Sequence, residues 1–312
     1  MSGSRVIALG HYQPATVLTN DELAAMVDTS DEWIRSRVGI HTRRIAGPDE
    51  TVDAMASEAA AKALAASGLD PADVDLVLVA TCTAVDRSPN TAARVAARLG
   101  LPAPAVMDVN VVCSGFTHAL ASADHAIRAG AARNALVIGV EKFTDVVDWT
   151  DRSTCVLVGD GAGAAVVTAS DEPGIGPVVW GSVPDMGHAV RIEGTPSRFA
   201  QEGQSVYRWA TTQLPPIARS VCERAGVAPE ELAAVVLHQA NLRIIEPVAR
   251  RIGAVNAVIA TDVTESGNTS AASIPLALSK LVERGAVPSG APVLLFGFGG
   301  NLSYAGQVIR CP

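Results

Sequence analysis

Short apolar runs alternate with Ala-rich stretches of helical spacing along most of this chain. The apolar runs are nearly continuous, as in Leu76 to Ala80, which is typical of strands buried on both faces. We predict strands at residues 6–9, 74–80, 105–109, 135–140 and 233–237, and helices at 51–67, 91–99, 114–129 and 205–224. The alternation predicts an α/β fold. Pro215-Pro216 predicts a kink or break in the helix that contains them.

Two parts of the chain resemble each other. "DVNVVCSGFTHALASADHAIRAG" precedes the strand "ALVIGV", and "DVTESGNTSAASIPLALSKLVERG" precedes the strand "PVLLFGF". "DVDLVLVATC" and "ELAAVVLHQA" correspond in the same way, so a βα unit is duplicated. We therefore predict two similar α/β halves, residues 1–171 and 172–312, related by a pseudo-two-fold axis, with parallel sheets covered by helices.

Charge and cysteine content narrow the class of protein. The chain has 312 residues, with 24 Lys and Arg against 32 Asp and Glu, and the net charge of −8 argues against general nucleic-acid binding. No secretory leader is expected, and no apolar run approaches the roughly 20 residues of a membrane span. The five cysteines form no CxxC pair, which indicates reduced thiols and a cytoplasmic location.

Polar and small residues at the ends of buried elements are the candidates for chemistry. Cys113 begins a predicted helix, whose partial positive charge would lower the pKa of the thiol, although a lone cysteine is more often a packing residue. His238 ends a buried strand, and Asn268 begins another helix, where an N-cap is the ordinary role. The glycine-rich segments 159–167 and 297–301 lack the spacing of phosphate-binding loops and predict tight turns. The duplication places Cys113 and Asn268 at equivalent helix starts, with His238 facing the same region.

In this order the motifs resemble the β-ketoacyl-acyl-carrier-protein synthase III family of the thiolase superfamily, over essentially the whole chain. They are "DTSDEWIRSRVGI" (28–40), "DVNVVCSGFTHAL" (108–120), "WTDRSTCVLVGDGAGAAV" (149–166), "HQANLRI" (238–244) and "GNTSAASIP" (267–275). The resemblance implies a thiolase-like fold with αβαβα layers. It also implies a decarboxylating condensation of an acyl-CoA starter with malonyl-acyl carrier protein, initiating fatty-acid or polyketide chains.

The resemblance implies a role for each candidate. Cys113 would be the nucleophile that carries the acyl group, and His238 and Asn268 would bind the carbonyl oxygen of the malonyl thioester, His238 donating through Nε2. The backbone N–H groups of Cys113 and Gly300 would form an oxyanion hole. Acyl-CoA is expected as a substrate, with no cofactor and no metal.

Further residues are implied for the two carriers of acyl groups. Trp33 and Arg152 would hold the adenine of coenzyme A from opposite sides, Arg37 would bind its phosphates, and Asn241 would line the pantetheine channel. The carrier protein would dock on Gln239, Ala240, Asn241, Leu242, Arg243, Arg250 and Arg251. The three arginines recur at spacings that share one helical face, although a solvated charged face is the default interpretation. A homodimer is expected.

Three departures from the family pattern bear on the acyl group and the pathway: Ser88, the C-terminal loop with Asn301 and Tyr304, and Pro215-Pro216 near the channel mouth. Ser88 stands where a bulky apolar residue commonly closes the acyl pocket across the dimer interface, which predicts a roomier pocket. In the C-terminal loop, Asn301 stands where the family usually has glycine, and asparagine can also adopt the positive φ of such a turn. Tyr304 stands where the family commonly has tryptophan.

Alternative functions stay open from sequence alone. A non-decarboxylating acyltransferase could use the same Cys113, and a non-catalytic partner subunit would not need that thiol. A thiolase would need a second catalytic cysteine, for which Cys311 lies too close to the end of the chain. The chain is short for a chalcone-synthase-like enzyme.

Overall fold

Two five-stranded sheets and two two-stranded sheets organise the computed structural model, which describes residues 3–312. The strands are β1 Gly3–Tyr12, β2 Thr16–Thr19, β3 Thr42–Ile45, β4 Leu76–Ala80, β5 Ala105–Val109, β6 Asn134–Glu141, β7 Gly161–Ser170, β8 Val179–Gly181, β9 Val190–Glu193, β10 Arg198–Gln201, β11 Ala234–Leu237, β12 Val258–Ile259, β13 Pro292–Phe298 and β14 Tyr304–Arg310. The helices are α1 Asn20–Ala24, α2 Asp31–Val38, α3 Val52–Ser67, α4 Thr91–Arg98, α5 Gly115–Arg128, α6 Arg152–Cys155, α7 Gly203–Ala225, α8 Leu242–Ile252, α9 Val263–Ser266 and α10 Ser273–Glu283. Short 3₁₀ turns at Val112–Ser114, Ser270–Ala272 and Gly300–Leu302 lie next to the candidate site.

The two large sheets have the same strand order. The first is ordered β1-β7-β6-β4-β5, and the second, read in the matching direction, β8-β14-β13-β11-β12. Each position in one sheet therefore has a counterpart in the other, as the duplicated segments predict. The structure gives no test of the predicted boundary at residues 171 and 172, which stays a prediction.

Both sheets are mixed, so the prediction of parallel sheets is wrong in part. β4 is parallel to β5 and β6, but β7 is antiparallel to β6 and β1. The reason is the connection: β7 starts with Gly161 paired to Glu141 at the end of β6, so the chain re-enters the sheet at the edge where it left. In the second sheet, residues 299–303 join antiparallel β13 and β14 directly.

Helices complete five layers in the order αβαβα. α3 and α4 cover the outer face of the first sheet, and α7 lies on the outer face of the second sheet and packs against α8. α5 and α10 lie between the sheets and contact both. Among residues 3–312, three hydrophobic clusters follow this layering. The two central helices are the ones whose starts carry the candidate chemistry.

Helix α7 runs unbroken through Pro215-Pro216, so the predicted break does not occur. Pro215 has no N–H to donate to the carbonyl of Thr211, four residues earlier. The guanidinium of Arg251, on α8, donates to that Thr211 carbonyl instead. A neighbouring helix therefore supplies the hydrogen bond that the proline removes.

Local signals set the ends of the helices. Thr51 accepts a hydrogen bond from the Ala54 N–H at the start of α3, and Gly68 ends that helix with φ of 71°. Asn241 accepts a hydrogen bond from the Ile244 N–H at 3.1 Å and so begins α8 directly after the HQA segment. Over residues 3–312, no helix is long and apolar enough to cross a membrane.

Candidate active site

The thiol of Cys113 lies at the junction of the 3₁₀ turn Val112–Ser114 and helix α5. Val112 has φ of 46°, an uncommon conformation for a β-branched residue, so the turn that presents the thiol is strained. Gly299 in the β13–β14 loop covers the thiol: a Cβ at this position would lie 2.9 Å from Cys113 Sγ. Only glycine permits this approach, and its φ of 147° is also one that other residues rarely adopt.

The pKa of Cys113 is raised to about 11, because burial disfavours the thiolate. Three donors oppose this effect: the Ser270 hydroxyl, the Gly300 N–H and the Cys113 N–H. The prediction that the helix start makes Cys113 a thiol of low pKa is therefore wrong for the resting protein. Burial outweighs the effect of these donors on the pKa of the thiol, and the oxyanion hole of Cys113 and Gly300 stays a prediction.

His238 follows β11 and is 2% exposed. Its Nδ1 lies 2.8 Å from Ser273 Oγ, and that oxygen also accepts a hydrogen bond from the Gln239 N–H at 3.3 Å. If the serine hydroxyl donates to Nδ1, the proton of the neutral ring is on Nε2, as the predicted donor role requires. Burial lowers the pKa of His238 to about 3, so the ring is neutral near pH 7.

Asn268 is held by hydrogen bonds on its backbone and on one side-chain atom. Its N–H donates to the Leu157 carbonyl at 2.8 Å, and its carbonyl accepts from the Gly159 N–H at 3.1 Å. The side-chain Oδ1 accepts from the Ser270 N–H at 2.9 Å. The acceptor end of the amide is thus occupied, and the NH₂ group is left to donate.

These three side chains share one cavity of about 200 Å³. Gly299 and Gly300 line it beside Cys113, and apolar walls complete it. The lining residues with polar or aromatic groups are Trp33, Cys113, Phe143, Ser153, Phe199, Gln201, His238, Asn241, Asn268 and Phe298. Within residues 3–312 no group of three or more His, Cys, Asp or Glu side chains is arranged to hold a metal ion.

The predicted coenzyme A residues lie toward the outside of this cavity. The guanidinium of Arg152 lies 5.1 Å from the centre of the Trp33 ring, and it also donates to the Asp28 carbonyl at 2.7 Å. Arg37 and Arg243 line an adjacent pocket of about 500 Å³, and Asn241 lines both spaces. The structure thus places the aromatic residue at the cavity and two cations next to its mouth.

One predicted docking residue is excluded by burial. Gln239 is 1% exposed; its Nε2 donates to the carbonyls of Leu237 and Ala260, and its Oε1 accepts from the Val263 N–H. Since all its side-chain groups bond within the fold, a docked protein cannot reach it, and that prediction is wrong. Ala240 lines the cavity itself, and Leu242 packs against Gly39.

The remaining predicted contacts lie on the surface. Arg243, Arg250 and Arg251 are exposed on α8, although Arg251 is bonded to α7. Ser88 is exposed and precedes a cis peptide bond to Pro89. Ser88 does not line the cavity of the single chain, and its predicted place in an acyl pocket across an interface stays a prediction.

Sequence reasoning missed Ser273 and Glu141 beside the site. Ser273, which fixes His238, belongs to the "GNTSAAS" segment but has no distinguishing pattern of its own. Glu141 could have been found, since it is a polar residue at the end of a buried strand, the same signal that singled out His238.

A covered thiol at the start of a central helix, a neutral imidazole and an amide donor define a thiolase-like acyl-transfer site. The thiol can form a thioester, and the two donors can stabilise negative charge on a carbonyl oxygen in the cavity that they share. The pseudo-symmetric αβαβα frame is the one that thiolase-like enzymes have.

Comparisons with known proteins agree. The family model for 3-oxoacyl-[acyl-carrier-protein] synthase III matches residues 107–184, and the model for its C-terminal part matches residues 222–311. The chain is 77% identical to β-ketoacyl-[acyl-carrier-protein] synthase III 4 of Streptomyces coelicolor over 99% of both chains. It is 78% identical to synthase III 2 of Streptomyces avermitilis over 100% of both. The chain belongs to the 3-oxoacyl-[acyl-carrier-protein] synthase III family, a family of condensing acyltransferases.

Solved structures are similar over the whole chain. The priming β-ketosynthase of the R1128 polyketide pathway has a TM-score of 0.97 at 42% identity, over 99% of this chain and 96% of that one. The synthase III of Aquifex aeolicus has a TM-score of 0.94 at 40% identity, over 99% and 100%. The activity is therefore a β-ketoacyl synthase III condensation that initiates fatty-acid or polyketide chains.

Proposed function

We propose that the condensation proceeds through an acyl group on Cys113, with acyl-CoA as the donor and malonyl-acyl carrier protein as the extender. The observation that supports this most directly is the single cavity shared by Cys113, His238 and Asn268. In the loading step, Sγ attacks the acyl carbonyl, the bond to the coenzyme A sulfur breaks, and the N–H groups of Cys113 and Gly300 stabilise the oxyanion.

In the second step the malonyl thioester loses CO₂ and its α-carbon attacks the acyl-Cys113. His238 Nε2–H and the Asn268 amide donate to the thioester oxygen on which the enolate charge develops. A neutral imidazole suits this role, because its pKa of about 3 keeps it an uncharged donor at working pH. A carbon–carbon bond forms, the bond from Cys113 to the acyl carbon breaks, and the thiol is restored.

Adenine binding between Trp33 and Arg152 requires the two side chains to separate. Their present distance is 5.1 Å, whereas a flat ring stacked on both faces needs about 7 Å, or two contacts of about 3.5 Å. Arg152 is exposed and can move to the far side of the ring, where it adds a cation–π contact. Arg37 binds the phosphates, and Asn241 lines the pantetheine channel.

The carrier protein docks on the basic surface beside the mouth of the cavity. Arg243 and Arg250 project from α8, and Arg243 lines the same pocket as Arg37. Carrier proteins present acidic surfaces and phosphopantetheine, so a positive rim on a chain of net charge −8 favours their approach to this side.

We also infer a homodimer in the cytoplasm. β5 is the outer strand of its sheet, its residues are largely exposed, and Met107 is 49% exposed. An uncovered, partly apolar strand edge pairs readily with a second copy of itself. Ser88 would then reach the acyl pocket of the partner subunit, and its small side chain would leave that pocket larger. The five free cysteines fit a reducing compartment.

Acyl loading tests the nucleophile. The protein is incubated with a panel of acyl-CoAs, and the intact mass is measured with peptide mapping of the modified residue. An adduct on Cys113 with at least one donor is expected, and Cys113→Ala should form none. No adduct with any donor, or continued loading of Cys113→Ala, would contradict the proposal.

Discharge of the loaded protein tests the second step. Malonyl-carrier protein should release CO₂ from the loaded chain, while His238→Ala and Asn268→Ala should load normally but decarboxylate at least about 100-fold more slowly. Normal condensation by either variant would refute the assigned donors. An adduct that is discharged without CO₂ release would instead support a non-decarboxylating acyltransferase.

A further inference from the structure

Among residues 3–312, the largest fully buried side chain is an arginine that has no part in the steps above. Arg43 lies in β3 and is 0% exposed. A buried cation usually pairs with a carboxylate, because removing its charge from water is costly. In this part of the chain, however, the oxygens that accept hydrogen bonds from Arg43 are all neutral. The positions of these oxygens show what the guanidinium holds in place.

The guanidinium of Arg43 joins two separate segments of the chain. Its Nη1 donates to the side-chain oxygen of Asn20 at 2.8 Å and to the Leu18 carbonyl at 3.4 Å. Its Nη2 donates to the Val156 carbonyl at 2.8 Å. A planar group with several donors can reach both segments at once, whereas a single ammonium presents no such fork. Val156 follows α6 directly and lines the same cavity as Cys113.

The stem of Arg43 packs against two glycines next to Asn268. A Cβ at Gly159 or at Gly267 would lie 3.1 Å from the Arg43 Cβ. A Cβ at Gly159 would also lie 2.3 Å from the Ser266 carbonyl oxygen. Glycine at both positions therefore lets the two segments that carry them pack closely on each other and on the arginine.

The backbone of Asn268 is aligned on the segment that Arg43 holds. The Asn268 N–H donates to the Leu157 carbonyl at 2.8 Å, and the Asn268 carbonyl accepts from the Gly159 N–H at 3.1 Å. These bonds make a parallel bridge between Val158 and Asn268, which begins directly after the carbonyl that accepts from Arg43. A shift of that carbonyl would therefore move Asn268 with it.

The start of β3 holds the chain that leads into Asn268. The His41 N–H donates to the Thr264 carbonyl at 2.7 Å, and the Thr42 hydroxyl donates to the Glu265 carbonyl at 2.9 Å. The next residue along the strand is the buried arginine. Three consecutive residues thus fix the backbone on both sides of the segment that presents the amide.

Asn20 connects the same guanidinium to helix α2. Its Nδ2 donates to the Asp31 carboxylate and to the Ile40 carbonyl, each at 2.8 Å. Asp31 begins α2, and Ile40 comes shortly after its end. The helix that carries Trp33 and the turn that carries Asn268 therefore share one buried support.

We propose that Arg43 is a positioning residue for the condensation: through the Val156 carbonyl and the packing of its stem, it keeps the Asn268 amide directed at the malonyl thioester oxygen. The inference rests on the proposed donor role of Asn268. Arg43 is not among the residues that line the cavity, so it touches no substrate and acts through Asn268. Since loading of Cys113 does not use that amide, Arg43 matters for CO₂ release and not for loading.

Arg43→Met tests this, because methionine fills the space of the stem but donates no hydrogen bond. The protein is acylated on Cys113 with excess acyl-CoA, and malonyl-carrier protein is then added at saturation. CO₂ release in this single turnover should be at least about 10-fold slower than in the parent, since a displacement of about 1 Å can cost about 100-fold. Loading at saturating acyl-CoA should stay within about 2-fold of the parent. Equal slowing of both steps, or parental CO₂ release, would overturn the proposal.

A double variant shows whether the arginine acts through the amide. Asn268→Ala removes the amide, so adding Arg43→Met should slow CO₂ release no further. Losses that multiply would mean that Arg43 acts elsewhere and would refute the proposal. Parental CO₂ release by Asn268→Ala alone would instead remove the donor role on which the inference rests, so the two failures are distinguishable.

Arg44→Met is the matched control. Arg44 is the next residue of β3, and its side chain points to the other face of the strand, where Nη1 donates to the carbonyls of Ala15 and Pro14, at 3.2 and 3.4 Å. The same substitution there should leave loading and CO₂ release unchanged. A fall in CO₂ release equal to that of Arg43→Met would reduce the effect to general damage and overturn the proposal.

Arg43→Lys covers the case in which Arg43→Met does not fold. Lysine keeps the buried charge and the stem but lacks the fork that reaches both segments. CO₂ release should be at least about 3-fold slower than in the parent, with loading unchanged. Hydrogen exchange followed by mass spectrometry should show faster exchange of the amides in residues 157–159 and 266–268. Parental CO₂ release, or parental exchange in these two segments, would contradict the proposed role.

Discussion

Burial decides the protonation state of His238. The ring is 2% exposed, has Ser273 Oγ at Nδ1 and touches the edge of Phe298, with 5.5 Å between ring centres. No acidic side chain appears among the influences on its pKa, and desolvation alone lowers the value to about 3. In the proposed mechanism this neutral ring donates to the enolate oxygen, and its burial should make the free energy of unfolding depend on pH.

The first prediction concerns stability in acid. In the unfolded chain His238 binds a proton below its ordinary pKa of about 6.5, whereas the folded chain does not bind it until about pH 3. The folded state therefore loses stability as the pH falls between these values, by about 2 kcal/mol from pH 7 to pH 5. Urea unfolding of the parent and of His238→Gln checks this: the variant should lack that part of the loss. Equal losses in both would contradict a neutral buried ring.

At the scale of elements, Arg251 links helices α7 and α8, although the sequence predicted that this residue would bind the carrier protein. The Arg251 guanidinium occupies the Thr211 carbonyl that Pro215 leaves without a partner, and the Arg251 carbonyl in turn accepts from Arg219. This contact explains why two consecutive prolines leave the helix unbroken. It also separates Arg251 from Arg250, which is exposed at the next position and has no such contact in the described chain.

The second prediction compares these neighbours. Arg251→Met should lower the free energy of unfolding by about 1–3 kcal/mol, because it leaves a helix carbonyl without its donor. Arg250→Met should change it by less than about 0.5 kcal/mol, as expected for a surface residue. Urea denaturation measures both. If Arg251→Met is as stable as Arg250→Met, the prolines are tolerated for another reason.

At the scale of the whole molecule, the two sheets differ in how their last strand ends. In the second sheet the outer strand β12 is only two residues long, whereas β5 in the first presents five residues with an uncovered edge. Natural sheets avoid long exposed edges unless a partner covers them. The asymmetry between otherwise matching halves therefore favours β5 as the interface of the proposed homodimer.

The third prediction follows for the oligomeric state. Light scattering after size exclusion should show that the protein is a dimer. Met107→Glu should convert the dimer to a monomer, because the substitution would bury one charge on strand β5 of each subunit at the interface. Val255→Glu is the control: Val255 is 78% exposed and lies in the turn after α8, so the dimer should persist. A Met107→Glu protein that remains dimeric would exclude β5 as the interface.

The sequence predicts the fold and the chemistry of the active site to different extents. Periodicity located the strands and helices, and the duplicated segments gave the matching strand order, because these patterns report burial along the chain. The resemblance placed Cys113, His238, Asn268 and Gly300 at one site, and the structure brings them together in one cavity. The antiparallel course of β7 and the continuity of α7 were missed, since both depend on contacts distant in sequence.

The sequence by itself determined the fold class, the duplication and the identity of the groups that could react, since these follow from local burial patterns and residue types. Only the tertiary structure decided their protonation. Burial raises the pKa of Cys113 to about 11, lowers that of His238 to about 3, and raises that of Glu141. Desolvation and the charge of a neighbour depend on what surrounds a group in space, and residues far apart in the chain provide those surroundings.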